Sequence, residues 1–293
     1  RRVLMWPASA LLTGNGVAFV LRVPGTEHGD WWSLRGWWIF AGASAVALLS
    51  KYVIRVRGRH VFNPSNFGLV LCFLLLGASR ADPLALWWGP LSPALVGAIA
   101  LIVAGGFLIL RRLQLVGLAV AFWIAFAAGI GVLAASGHSM TAAWHVGPIE
   151  GAAFWWLLVS SPEILVFLFF MITDPRTVPA SPAGRRAYGT AVGLLATVLI
   201  APQTTEFGTK VAILAALLAV CAARGVVELV RPGRRLAFVP RFRPRVLAGV
   251  AGAGALVYAS LVVVAGIPAR PSTEAATAAV DVRSLPAVTV VAS

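Results

Sequence analysis

Few side chains in this sequence do chemistry, and those few stand in unusual places. Glu163 lies inside an apolar run, FWWLLVSSPEILVFLFFMITDPRTVP, at residues 154–179. A charged group at mid-membrane costs about 2.5–3.5 kcal/mol on insertion scales, so it is either buried in protein or used. Two readings of Glu163 stand. In one it is the catalytic residue, relaying a proton or cation or bonding a ligand. In the other it is a carboxyl group that is protonated or bonded to neighbouring Ser, Thr or Trp. Pro162, just before it, frees a backbone carbonyl and kinks the helix.

Polar residues interrupt other apolar runs too. Thr13 and Asn15 fall in Thr13-Gly14-Asn15-Gly16. Asn63 and Asn66 fall in RHVFNPSNFG at 59–68, Thr173 and Asp174 close the Glu163 run, and Thr204-Thr205-Glu206-Phe207-Gly208 opens another. Irregular backbone at membrane depth persists only where it is buried in protein or lines a cavity. Broken helices present peptide groups that hold a polar ligand or an ion. Thr13, Asn15, Asn63, Asn66, Thr173 and Asp174 are therefore the candidate cofactor-binding residues. The plainer reading is that Asp174 closes its own turn, and that Asn63 and Asn66 satisfy the backbone of their own segment.

Other chemistries lack their residues. No Ser-His-Asp or Cys-His set, Walker loop or dinucleotide fingerprint occurs. His60 and His138 read as loop histidines without a second ligand at metal spacing, so no metal is expected. Cys72 and Cys221 sit in apolar runs and read as small buried residues.

The elements that must position these groups are membrane helices. Of 293 residues, 59% are hydrophobic and 12% charged, and the mean hydropathy is +0.88. Soluble domains are about 45–50% apolar and about 25% charged. Runs near the roughly 20 residues a spanning helix needs predict an all-α polytopic membrane protein of about nine transmembrane helices. They are residues 4–23, 37–54, 61–77, 91–110, 115–135, 151–173, 187–201, 207–223 and 246–267. Residues 268–293, rich in Ala, Pro, Thr and Ser, read as a disordered tail. The first run lacks a small-residue cleavage site, so no cleavable signal peptide is expected in it.

Alternation of loops places most arginines on one side, in clusters near 1–2, 51–59, 111–112, 176–186 and 224–245. Arg22, Arg35, Arg80, Lys210, Arg270 and Arg283 fall on the other. Basic loops stay cytoplasmic, which predicts a cell-membrane protein with its N-terminus inside. The net charge of +14 then reflects topology and anionic lipid rather than nucleic acid. Tryptophans near the outer ends, Trp37, Trp38, Trp144, Trp155 and Trp156 among them, read as an interfacial belt or as a stacking platform for a ring-bearing ligand.

The chain also echoes itself. Leu12-Thr13-Gly14 with Val23-Pro24 resembles Ile172-Thr173-Asp174 with Val178-Pro179, and Asn66-Phe67-Gly68 resembles Glu206-Phe207-Gly208. The copies follow crossings of opposite direction, as in an inverted repeat. That divides the chain into a first membrane repeat at 1–135 and a second, incomplete one at 151–267.

At these motifs the sequence resembles the RnfD/NqrB family, membrane subunits of ion-translocating NADH:ferredoxin and NADH:quinone oxidoreductases. HVFNPSNFG at 60–68 looks like the family's FNPA(A/M)xxG element, and FFMITDPRTVP at 169–179 looks like its FFMATDPxTxP element. Residues 59–223 also look like the RnfD-like membrane proteins of enediyne antibiotic clusters, the UnbU type. The resemblance implies ten helices in an inverted repeat, a flavin and electron transfer, with a tenth helix beyond Ser293. The family carries FMN on a Ser-Gly-Ala-Thr motif, and this chain has none: the equivalent loop reads Ala135-Ser136-Gly137-His138-Ser139-Met140-Thr141. The expected cofactor is therefore FMN or riboflavin held non-covalently.

Three functions follow as expectations. The first is a membrane electron-transfer subunit working with other redox or biosynthetic subunits. The second is a small-solute or ion transporter, and the third a membrane scaffold for biosynthetic enzymes.

Overall fold

The computed structural model describes residues 8–25, 34–83 and 92–230. The expected span at 246–267 and the tail at 268–293 lie outside the described residues. In chain order the helices are α1 (Ala8–Ala18), α2 (Trp37–Val53), α3 (Pro64–Leu76), α4 (Pro93–Arg112), α5 (Val116–Ala135), α6 (Gly151–Ser160), α7 (Pro162–Val166), α8 (Pro182–Ile200) and α9 (Glu206–Val230). A π-helical turn, Phe167–Met171, continues α7. Three two-stranded antiparallel ribbons tie the ends: β1 (Leu21–Arg22) with β4 (Asp82–Pro83), β2 (Arg55–Val56) with β3 (Arg59–His60), and β5 (Ser139–Met140) with β6 (Ile149–Glu150).

Among the described residues four helical runs are long and apolar enough to cross a membrane: Pro93–Arg112, Val116–Ala135, Gly151–Met171 and Glu206–Val230. The helices α2 and α3 are apolar but shorter. Large apolar side chains such as Leu49, Leu75, Leu101 and Trp156 stand exposed on helix surfaces. Phe73, Phe122, Phe126 and Phe154 fill the interior.

The helix starts follow local rules. Asn63, Ser92 and Ser181 each accept a backbone N–H of the first turn, and a proline takes one of the first two helical positions. Such prolines give up an N–H that has no helical partner anyway. The Ser181-Pro182 start makes α8 begin five residues before the expected 187, with Arg185 and Arg186 inside it. Charges end the apolar run there without ending the helix.

The expected break at Thr13-Gly14-Asn15-Gly16 does not occur. Helix α1 runs through it, and the Thr13 hydroxyl donates to the Ser9 carbonyl at 2.9 Å. Gly16 is there for approach: a Cβ on it would sit 2.6 Å from Ser65 Oγ. Ser65 Oγ in turn donates to the Thr13 carbonyl at 3.1 Å, joining α3 to α1.

Helices α5 and α8 pack backbone to backbone. A Cβ on Gly189 would lie 2.4 Å from the Leu118 carbonyl oxygen, and one on Gly193 would lie 2.8 Å from that of Phe122. Two small residues four apart are what close approach in lipid requires. Gly189→Val is expected to destabilise the protein by at least about 1–3 kcal/mol, the cost of overpacking, read as a lower Tm in detergent. Gly42→Ala, where a Cβ meets nothing within 4 Å, should leave the Tm unchanged or raise it.

Candidate functional site

The Glu163 run does not cross as one rod. Ser161 adopts φ −63° and ψ 150°, ending α6 and capping α7, so the helix restarts at Pro162. Pro162 has no N–H to offer, and a carbonyl at the break, that of Val159, accepts from Trp123 Nε1 of α5 at 3.1 Å. Glu163 thus stands in the first turn of α7, where the positive end of the helix dipole favours a carboxylate.

Opposite it is Lys210, near the start of the expected span 207–223 and counted there with the outer charges. The structure sets it one turn inside α9, where it is 5% exposed. Its Nζ is 3.3 Å from Glu163 Oε1 and 2.5 Å from Glu206 Oε1. Glu206 opens α9, again at a positive helix end. Its backbone N–H bonds the Thr141 carbonyl at 2.9 Å, and Trp144 Nε1 donates to its Oε2 at 3.0 Å. Burying one ammonium among apolar helices is tolerable only with such partners. One cation between two carboxylates leaves the group at net −1 when all three are charged. The Arg22–Asp82 pair, 3.1 Å apart, lies on the adjoining β1–β4 ribbon. Burial pushes the Asp82 carboxyl up, opposed by Arg22 and then by Lys210.

Glu163 and Lys210 face a narrow cleft of about 50 Å³ between the α7 segment, α9, the end of α1 and Pro83. Its walls are otherwise apolar, with Phe19, Phe167, Met171 and Leu214 prominent. A concave apolar lining with a few convergent polar groups is the usual character of a small-molecule site. An apolar cleft with an ammonium and a carboxylate at one end offers a polar ligand one donor and one acceptor. Protonation of Glu163 would remove one of the two carboxylate charges set beside Lys210 at the polar end of the cleft.

The other predicted residues form a second centre, further along the same helices. Helices α3 and α9 run antiparallel, with Phe73 against Phe207 at one end. At the other, Asn66 Nδ2 donates to the Leu214 carbonyl at 3.0 Å. Asn63 caps α3 through Asn66 N–H, and its Nδ2 donates to the Met171 carbonyl at 3.2 Å. His60, expected in a loop, is buried in β3 with Nε2 3.3 Å from Asp174 Oδ2. Arg57 (φ 50°) and Gly58 (φ 78°) make the two-residue turn that folds β2 and β3 together and so aims His60 inward. Asp174 also accepts the Arg176 N–H, closing its own turn at 2.9 Å. Thr173 donates to the Phe169 carbonyl at 2.6 Å.

The elements RHVFNPSNFG and FFMITDPRTVP therefore clasp one another through Asn63, His60 and Asp174. Asn63 and Asn66 brace the deep end of the cleft by holding the backbones of Met171 and Leu214, both of which line it. The buried Asn66 Oδ1 has no hydrogen-bond partner among the described residues. Thr13 reaches this centre through Ser65, and Asn15 lies on the exposed face of α1. Lys210 is the candidate site residue that sequence reasoning misses. Its signal is the Glu206-to-Lys210 spacing of four inside an apolar helix.

The chain matches no protein-family profile. It is 29% identical over 164 residues to a subunit of the ion-translocating oxidoreductase complex of Shewanella loihica. The aligned part is 54% of this chain and 42% of that protein, so the chain spans less than half of that relative's length.

Lys210→Met strands two carboxylates in a buried site and is expected to cost about 3–5 kcal/mol, measured by thermal or denaturant unfolding in detergent. Adding Glu163→Gln and Glu206→Gln should recover most of the loss.

Proposed function

We propose that this chain is a multi-pass membrane electron-transfer subunit of RnfD/NqrB type. The observation that carries the reading is the clasp between the two elements that resemble that family. Asn63 Nδ2 reaches the Met171 carbonyl, and His60 reaches Asp174. The Shewanella loihica relative, part of an ion-translocating oxidoreductase, points the same way. In this reading about nine helices cross the cell membrane from a cytoplasmic N-terminus. Residues 1–135 and 151–267 are two inverted repeats, and further redox or biosynthetic subunits complete the path. Support of enediyne secondary-metabolite biosynthesis rests on the resemblance of residues 59–223.

The cofactor in this proposal is FMN or riboflavin held non-covalently in the cleft. The residues fit: Phe167, Met171 and Leu214 offer apolar faces, and Lys210 and Glu163 offer a donor and an acceptor at one edge. A bound flavin would accept and release electrons one or two at a time. Lys210 would orient the ring edge, and Glu163 would hold or give up a proton beside it. The apolar walls would exclude water.

A second reading, an ion or small-solute transporter, draws on the carboxylate–lysine group between broken helix ends, a transporter arrangement. Protein purified in detergent is expected to carry flavin absorbance or to take up flavin on titration. Lys210→Met should weaken uptake by about tenfold, the worth of one charge-assisted hydrogen bond. No bound flavin and no uptake would sink the electron-transfer reading. Ion or solute flux in proteoliposomes that Glu163→Gln abolishes would install the transporter in its place.

A further inference from the structure

A second recess lies beyond the clasp and has no part in the reading above. It is a small, partly open recess between the β2–β3 ribbon and the last turns of α9, with Arg59, His60, Arg224 and Glu228 as its polar lining. Gly225 brings the two walls together, since a Cβ there would meet Val61 Cγ1 at 2.7 Å. Arg224 donates from Nε to Glu228 Oε1 at 3.0 Å. Its Nη1 is shielded from solvent and has no hydrogen-bond partner among the described residues. A guanidinium carries five N–H donors in a rigid fork, and a shielded donor left unbonded is costly. Arg59 stands exposed on the facing ribbon. Two arginines face one carboxylate, so the lining is net positive with His60 neutral.

We propose that this recess binds a phosphate group. A tetrahedral oxyanion would accept from the guanidinium of Arg224 in exchange for Glu228, an anion for which arginine is suited. Arg59 would close on it from the ribbon, and Glu228 competes for the same guanidinium. The phosphate belongs either to an anionic phospholipid headgroup or to a free phosphate. Lys51, Arg55, Arg57 and Arg176, on the neighbouring turns, add a field that attracts either source. The proposal is independent of the flavin; only its lipid arm rests on the membrane reading.

The test is native mass spectrometry of the full chain in mild detergent, with phosphatidylglycerol or phosphatidylcholine added, beside melting curves with inorganic phosphate. The wild type is expected to retain phosphatidylglycerol over phosphatidylcholine. Arg59→Gln and Arg224→Gln should each reduce that retention by about tenfold, the loss of a charge-assisted bond, and Glu228→Gln should increase it. Because Arg59 is exposed, its variant decides the matter even if Arg224→Gln folds poorly. Equal retention of the two lipids, with a phosphate-induced rise in Tm that Arg59→Gln removes, assigns the site to free phosphate. Equal retention with no effect of phosphate overturns the proposal.

Discussion

Burying the Lys210 ammonium obliges the chain to bring carboxylates to it, and much of the local architecture answers that demand. An unpaired ammonium between apolar helices would shed its proton or unfold its surroundings. Glu163 and Glu206 meet it within 3.3 Å. Each arrives at the start of a helix, so the peptide dipoles help hold both negative charges. For Glu163 this needs the interruption at Ser161, which converts mid-span backbone into a helix start. For Glu206 it needs Thr141 and Trp144, which fasten the first turn of α9. Buried ion pairs add little net stability compared with apolar replacements. An arrangement assembled from separate stretches of chain is thus better understood as serving the cleft than as cementing the fold.

The cleft and the clasp share the α7 segment and α9 as rails. Glu163 and Lys210 stand at one level, Met171 and Leu214 further along. Eight residues separate Glu163 from Met171, about 12 Å of helix. Asn63 and Asn66 hold the far level by bonding backbone carbonyls, which fixes the walls without spending polar groups on the apolar lining. The two levels are therefore mechanically connected: tilting α9 against α7 disturbs both the ion pair and the asparagine bonds.

Legibility in the sequence follows the range of the interaction. The α5 span, expected at 115–135 and found at Val116–Ala135, rests on local hydropathy. Glu163 is visible because a carboxylate in an apolar run is costly wherever it sits. Lys210 carries the same signal, but its place in the first turns of α9 lets it be counted with the outer charges. Thr13-Gly14-Asn15-Gly16 resembles a break on propensity, yet Gly16 is small for the sake of Ser65, far along the chain. No local pattern announces that Asn63 finds Met171, or that Asn66 finds Leu214. His60 gives no sign of its burial, because a ribbon of two-residue strands leaves no periodicity to read.

The wide turn at Phe167–Met171, where the Ile172 N–H reaches back to the Phe167 carbonyl, holds one more residue than an ordinary helical turn. A register defect of this kind absorbs an insertion while its two flanks keep their places. A homologue lacking the extra residue would thus keep its equivalents of Glu163 and Asp174 in position by relaxing to regular helix. The difference would surface in an alignment as a single-position gap between Ser161 and Thr173.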